Sequence, residues 1–167
     1  MGTKLHWIDG PWPGKLALAA RPRGGDWLAD DIVDWQRSGI GKVLSLLTQE
    51  EETDLDLGNE EREVNTLGME FATLPIPDRQ PPNSETELAA ALERLDADLS
   101  AGKKIVVHCR QGVGRAGLVS ACLLVTKGLS PQDAVNRVSA ARGIAIPETP
   151  EQRNWIDHYA AVLPSIG

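Results

Sequence analysis

Cys109 and Arg115 stand six positions apart in the run His108-Cys109-Arg110-Gln111-Gly112-Val113-Gly114-Arg115-Ala116-Gly117. A β-branched segment precedes this run and a helical pattern follows it, so the two side chains flank a glycine-bearing loop at a helix N-terminus. Physically this is an anion trap with a nucleophile at its centre. Successive backbone N–H groups of Arg110, Gln111, Gly112, Val113, Gly114, Arg115 and Ala116 can turn inward as a nest, and the helix dipole adds partial positive charge. The two glycines permit the tight curvature. Arg115 can hold two phosphate oxygens in a fork that lysine cannot offer, and can neutralise charge that builds in a transition state. The same surroundings lower a cysteine pKa into the range of about 3.5–7.5, so Cys109 is expected as a thiolate at neutral pH with no need of a histidine base. A dianion such as a phosphate monoester is the expected ligand. An inert core thiol would need neither the glycines nor the arginine.

A second reading fits the same spacing. Gly112-x-Gly114-x-x-Gly117 after a strand matches a dinucleotide fingerprint. That motif requires a second strand ending in an acidic residue about 20 positions on. Here Gly128-Leu129-Ser130-Pro131-Gln132-Asp133 starts another helix instead. The fingerprint also normally opens its domain, whereas this loop lies in the C-terminal part of the chain.

The scaffold that must position these groups is α/β, because short apolar runs alternate with amphipathic segments and no repeat or low-complexity linker interrupts them. Strands are predicted around Leu5 to Ile8, Leu16 to Ala20, Val43 to Leu47, Met69 to Ile76 and Lys104 to His108, the last being β-branched throughout at Ile105-Val106-Val107. A helix is predicted from an Asp26 cap to about Arg37. Capping boxes stand at Thr48-Gln49-Glu50-Glu51 and Ser84-Glu85-Thr86-Glu87, the second followed by Leu88, Leu92, Leu95 and Leu99 at helical spacing. Three further helices are predicted from about Arg115 to Lys127, from Pro131 to Ala141 behind Ser130, and from Pro150 to Val162 behind Thr149. One domain over residues 1–167 is expected.

Composition narrows the function classes. The 167 residues include 17 basic and 24 acidic ones, for a net charge of -7. A general binder of nucleic acid or anionic membrane needs a basic face, so these classes are excluded and an anionic substrate has to be caught locally. Cys109 and Cys122 are too few for a disulfide framework or a four-thiolate zinc site. The apolar stretch from Leu118 to Val125 is far short of a membrane span, and no charged-then-apolar signal opens the chain. A soluble, cytoplasmic protein in a reducing compartment is expected, with no cofactor, metal or membrane insertion. The eight acidic residues from Glu50 to Glu63 read as a solvated face. The five tryptophans read as core and interface packing, and Cys122 as core packing.

The His-Cys-x5-Arg run resembles the signature of the cysteine-dependent protein tyrosine phosphatase superfamily. Within its compact dual-specificity group, the stretch from Val107 to Leu124 and the Ser130-Pro131 helix start are similar to the cyclin-dependent kinase inhibitor 3-like, kinase-associated phosphatases. The likeness extends over about residues 43–163, with residues 1–40 matched loosely. It implies a dual-specificity-phosphatase-like fold with a central, mostly parallel sheet of about five strands flanked by helices. It implies Cys109 as the nucleophile that forms a phosphocysteine, Arg115 as the phosphate clamp and the remaining loop amides as the cradle. It also implies a general-acid aspartate on a mobile, proline-rich loop upstream, and Asp78 in Ile76-Pro77-Asp78-Arg79-Gln80-Pro81 matches that place. An aspartate suits the task, since the leaving oxygen needs a proton and the attacking water must later lose one. On its residues alone, Asp78 also fits a turn between prolines. His108 itself reads as a support that shapes the loop, and three histidines so dispersed argue against a metal role. A glutamine near Gln152 positions the hydrolytic water in the family, while Thr149-Pro150-Glu151-Gln152 reads by itself as a capping box with proline at its first helical position.

The chain departs from the family at Ala116, where Ser or Thr is usual. That hydroxyl helps the sulfur leave, so slow breakdown of a phosphoenzyme is expected. Tyrosine-specific members of the family wall a deep pocket with an aromatic-bearing loop upstream of the cysteine. With Tyr159 and Phe71 the sole tyrosine and phenylalanine here, the resemblance implies a shallow pocket that admits phosphotyrosine, phosphoserine and phosphothreonine. The leading reading is thus a dual-specificity protein phosphatase. Its alternatives are a weakly active or inactive phosphoprotein-binding module, a phosphatase of a non-protein phosphate such as a phosphoinositide, and a rhodanese-type sulfurtransferase. The last is disfavoured by its shorter cysteine loop and its lack of an aspartate loop. The net negative charge is expected to disfavour strongly acidic partners, except where Arg79 and Arg110 lie near the pocket mouth.

Overall fold

The β-branched run at Ile105 forms the middle of a five-stranded sheet. The computed structural model describes the backbone of residues 3–166 and the side chains of residues 3–163; the extreme ends of the expected 1–167 domain lie outside the described residues. The strands are β1 (His6–Ile8), β2 (Lys15–Ala20), β3 (Lys42–Ser45), β4 (Glu70–Thr73) and β5 (Lys104–Cys109). They pair in the order β1-β2-β5-β3-β4. β5 is parallel to both β2 and β3, β3 is parallel to β4, and β1 alone runs antiparallel, against β2. A central parallel strand is covered on both faces, which is why Ile105, Val106 and Val107 are consecutive and all fully buried.

Alternation along β5 sends these residues to two different cores. Val106 joins Ala19, Val43, Ile32, Trp35 and Val64, the layer supplied by α1 (Leu28–Arg37) and α3 (Glu60–Thr66). Ile105 and Val107 join Leu16, Leu18 and Leu44 under α4 (Glu85–Ser100) and α5 (Gly114–Thr126). The α4 leucines Leu88, Leu92, Leu95 and Leu99 face this core as their spacing predicts. α6 (Pro131–Arg142) and α7 (Pro150–Ile166) enclose α5, so every residue from Gly114 to Val125 is buried, as for a helix that is apolar all round. The remaining helix, α2 (Gln49–Asp54), follows β3 directly.

Local signals were realised unevenly. The Thr48 and Glu51 capping box forms in both directions at the start of α2. Ser84 accepts from the Glu87 N–H at 3.2 Å, which is one of the two bonds expected there. Asp26 does not cap α1: it sits in a 3₁₀ turn at Gly25–Trp27, and α1 starts behind Trp27 with no side-chain cap. Asp31 in the first turn of α1 instead binds the Arg23 N–H at 2.8 Å and its guanidinium at 2.6 Å. β4 is shorter than predicted, although the Leu74 and Ile76 N–H groups still donate to Ser45 and Leu46 carbonyls at 2.9 and 3.0 Å. Pro75 and Pro77 take the alternate positions, whose missing N–H groups would face the open edge of the sheet, so they leave the bonds to β3 intact while blunting that edge. Trp12 and Trp35 are buried, whereas Trp27 is an exposed surface residue under the Arg23 guanidinium. Among the described residues no helix is long and apolar enough to cross a membrane.

Candidate active site

β5 carries Cys109, 2% exposed, to the carboxyl end of the sheet in register with Ala20. Ligands of parallel α/β sheets bind at this end. The chain then turns through the loop and enters α5 at Gly114. Gly112 has φ +71°, and a Cβ there would lie 2.4 Å from the carbonyl carbon of Ala19. Both its conformation and its contact with β2 therefore require glycine. A Cβ on Gly114 would lie 2.6 Å from Glu148 Oε1 and 2.9 Å from Gln152 Oε1. The glycines that match a dinucleotide spacing thus serve close packing of this loop.

The loop carbonyls are tied away from its interior. Arg21 N–H donates to the Arg110 carbonyl at 3.4 Å. Arg142, at the end of α6, donates to the Gln111 and Gly112 carbonyls at 3.2 and 3.1 Å. The N–H groups of Gln111, Gly112 and Val113 find no backbone acceptor among the described residues, and those of Gly114, Arg115 and Ala116 belong to a first helical turn, where no intrahelical acceptor exists. The loop thereby presents donors rather than acceptors, the arrangement of an anion nest.

Arg115 is 2% exposed and its guanidinium is the hub of the site. Nη1 donates to Glu51 Oε1 at 2.6 Å and to the Ile76 carbonyl at 2.8 Å. Nη2 donates to Glu51 Oε2 at 2.9 Å and to Asp78 Oδ1 at 3.1 Å. Burial opposes the charge on Arg115, but the hydrogen bonds to Glu51 and the nearby anionic groups raise its pKa above the ordinary value. Burial likewise pushes the Glu51 carboxyl up. The hydrogen bonds from Arg115, the Thr48 backbone and Arg110, with the charge of Arg115, more than offset this and bring it to about 2. The expectation that the Glu50 to Glu63 stretch is a solvated face is therefore corrected at Glu51 and at Glu60, both buried. Glu51 is kept inside where the Arg115 guanidinium meets it, and Glu60 where it meets the His108 ring nitrogen.

Asp78, Arg79, Cys109, Arg110, Gln111, Arg115 and Glu148 line one cavity of about 190 Å³. Six of the residues singled out from the sequence thus meet: Asp78, Arg79, Cys109, Arg110, Gln111 and Arg115. Asp78 is half exposed at the rim. Gly112, Val113, Gly114 and Ala116 form the loop and first turn behind them, Val113 and Ala116 being buried. A larger cavity, about 530 Å³, lies between α4 and α7 and is lined by none of these residues.

His108 and Gln152 lie outside the cavity. His108 is fully buried, with Nε2 2.6 Å from Glu60 Oε2 and its ring 5.8 Å from that of Trp35. Its carbonyl accepts the Leu46 N–H at 2.9 Å, so it anchors the strand end that bears Cys109. Gln152 forms the capping box read from the sequence, accepting from Thr149 N–H at 3.2 Å and donating its own N–H to Thr149 Oγ1 at 3.2 Å. Its Nε2 also donates to the Gln80 carbonyl at 3.2 Å, which links α7 to the loop that bears Asp78. Cys122 is buried within α5, and burial pushes its thiol well up.

Sequence reasoning missed Glu51, Arg142 and Glu148 as parts of the site. Glu51 had a visible local role, as the last residue of a capping box, and that role gave no sign of a partner 64 positions away.

A family model for the DSP-PTPase phosphatase domain of Swiss Army Knife proteins, PTP-SAK, matches residues 3–158. Cyclin-dependent kinase inhibitor 3 of Rattus norvegicus is 30% identical over 141 residues, which cover 81% of this chain and 66% of that protein. The chain therefore spans about two thirds of this relative's length. Among solved structures, kinase associated phosphatase with its catalytic-site cysteine substituted by serine aligns with a TM-score of 0.90 at 22% identity, over 99% of this chain and 98% of that one. Tk-PTP in its active form aligns with a TM-score of 0.78 at 26% identity, over 94% and 96% of the two chains. The single α/β domain with a mostly parallel five-stranded sheet, expected from the resemblance, is the fold these proteins share. Because the family model spans nearly the whole chain, including the strand, loop and helix that form the anion nest, the protein belongs to the DSP-PTPase phosphatase domain family.

Proposed function

We propose that the chain is a phosphomonoester hydrolase, a dual-specificity protein phosphatase that acts on phosphotyrosine, phosphoserine and phosphothreonine through a phosphocysteine on Cys109. The observation that carries this reading is the meeting of Cys109, Arg115 and Asp78 in one cavity lined by a loop of outward carbonyls. The Cys109 thiolate attacks phosphorus, the P–O bond to the leaving group breaks, and Asp78 gives that oxygen its proton. Water then attacks the phosphocysteine and passes a proton to the Asp78 carboxylate. The S–P bond breaks, which releases inorganic phosphate and restores the thiolate. The loop amides and Arg115 stabilise charge on the equatorial oxygens throughout. Glu51 binds both Nη atoms of Arg115, so the Nη2 N–H that meets the half-exposed Asp78 is the one an incoming phosphate would take over.

The wild-type chain is expected to hydrolyse p-nitrophenyl phosphate in the presence of EDTA, and Asp78→Ala to lower kcat by roughly a hundredfold. Oxyanion binding without turnover would support a binding module instead. Thiosulfate-dependent cyanide consumption would overturn the reading.

A binding-module reading draws on Ala116, which is buried in the first turn of α5 and offers the sulfur no hydroxyl. As a consequence, rapid mixing with p-nitrophenyl phosphate is expected to give a burst followed by a low steady rate. Ala116→Ser should raise that steady rate by roughly tenfold to a hundredfold, about the worth of one hydrogen bond to a charged group. No burst, together with a steady rate unmoved by the added hydroxyl, would show that phosphocysteine breakdown is not the slow step.

A further inference from the structure

The cavity around Cys109 is lined at its mouth by two arginines that the reaction itself does not require. Arg79 and Arg110 flank the cavity, with side chains 61% and 41% exposed. Each is held by one long contact: Arg79 Nη1 to Glu148 Oε2 at 3.3 Å, and Arg110 Nε to Glu51 Oε2 at 3.3 Å. The Glu51 carboxylate is bound more closely by Arg115, at 2.6 and 2.9 Å. Among the described residues, Arg79 Nε and Nη2 and both Arg110 Nη atoms have no side-chain or backbone partner. Two guanidinium forks thus retain most of their donors at the mouth.

Backbone strain points to the same place. Arg79 has φ +63°, a left-handed conformation that a non-glycine residue adopts at a cost, directly after Asp78. The cavity is lined by no aromatic or aliphatic side chain, so apolar contact does not grip a leaving group there. Charge is what the mouth offers.

We propose that Arg79 and Arg110 form a second anion subsite, which selects phosphopeptides that carry an acidic residue or a second phosphate beside the scissile phosphate. The proposal rests on the phosphatase reading and names its substrate class. A peptide is favoured over a compact polyol bisphosphate because both arginines are exposed on the surface, where a flanking side chain would cross them. The overall net charge of -7 does not oppose this at close range. Beyond about 8 Å it is screened at physiological salt, and the two nearest cations dominate. The expectation that acidic partners are disfavoured is thus reversed at the mouth, under the exception stated for these two residues.

The test measures kcat/KM on matched phosphopeptides with Asp, Ala or Lys beside the phosphoresidue, with p-nitrophenyl phosphate run in parallel. The wild type is expected to prefer the Asp peptide over the Ala peptide by roughly twofold to fivefold per arginine, with the ratio shrinking as salt rises. Arg79→Ala and Arg110→Ala should each lower the Asp/Ala ratio, and Arg79→Glu should turn the preference toward the Lys peptide. Hydrolysis of p-nitrophenyl phosphate with no Asp preference would overturn the subsite and leave the phosphatase reading standing. If p-nitrophenyl phosphate is not hydrolysed, the phosphatase reading fails, and fluorescence anisotropy with the same peptides reads the subsite directly. The same arginine-dependent order would then support it, and equal affinities would overturn it. Arginine-dependent turnover of inositol bisphosphate alone, with no discrimination among peptides, would also overturn it.

Discussion

Cys109→Ser is expected to abolish p-nitrophenyl phosphate hydrolysis while it retains oxyanion binding, whereas Arg115→Lys is expected to lose both. The serine keeps the nest, because the loop carbonyls stay tied to Arg21 and Arg142, but its neutral hydroxyl is a poor nucleophile with no base at hand. Lysine keeps the charge of Arg115 and loses its geometry. The guanidinium makes four hydrogen bonds in different directions, to both Glu51 oxygens, the Ile76 carbonyl and Asp78. One ammonium cannot span that set and also present a fork to phosphate. Loss of one preorganised transition-state donor costs roughly 10²–10³ in kcat, and Arg115→Lys should fall by at least this much. Steady-state kinetics and calorimetric titration with tungstate check both variants. Activity retained in Cys109→Ser would exclude a phosphocysteine, and near-normal kcat in Arg115→Lys would remove the clamp from the mechanism.

Glu51→Gln is expected to lower stability on the order of 3–5 kcal/mol at neutral pH, as for a buried pair broken by removal of one partner. The amide leaves the buried Arg115 charge with only the half-exposed Asp78 as a counter-ion, so a raised KM for p-nitrophenyl phosphate should accompany the loss. The pH dependence has a definite sign. The Glu51 carboxyl is brought from 4.5 to about 2 in the folded protein, so the folded state binds this proton less readily than the unfolded one. Its contribution is fully present above about 4.5 and is lost as pH falls through about 2. Urea denaturation at a series of pH values should therefore show the gap between wild type and Glu51→Gln closing across this window. A gap that stays constant would mean that the charge of Glu51 does not stabilise the fold.

How much of the molecule was legible depended on the distance over which each interaction acts. The Thr48 to Glu51 and Thr149 to Gln152 boxes were readable because donor and acceptor lie within one helical turn of the same segment. Asp26 matched the same kind of signal and failed, because an acidic residue near a helix start has several positions open to it. In the fold Trp27 takes the cap position of α1 and has no side-chain oxygen to offer, while Asp26 lies one residue earlier in the 3₁₀ turn. Glu51 and Glu60 show the limit from the other side. Glu60 has no local mark among its acidic neighbours and Glu51 only its place in a capping box, yet one meets His108 and the other Arg115, 48 and 64 positions along the chain.

The amino-acid sequence by itself determined that this chain is a single α/β unit with a cysteine and an arginine on a glycine loop between a buried strand and a buried helix. Those features follow from short-range rules: apolar periodicity, β-branching, capping and the curvature that glycine permits. Only the tertiary structure decided which carboxylates share the cavity and which are kept under it. Burial favours a charge solely where an opposite charge with matching geometry arrives from elsewhere in the chain, and that arrival is set by sheet order and helix packing. The nest is therefore written in ten consecutive residues, while the electrostatics that tune it are assembled from α2, the loop after β4 and the connection between α6 and α7.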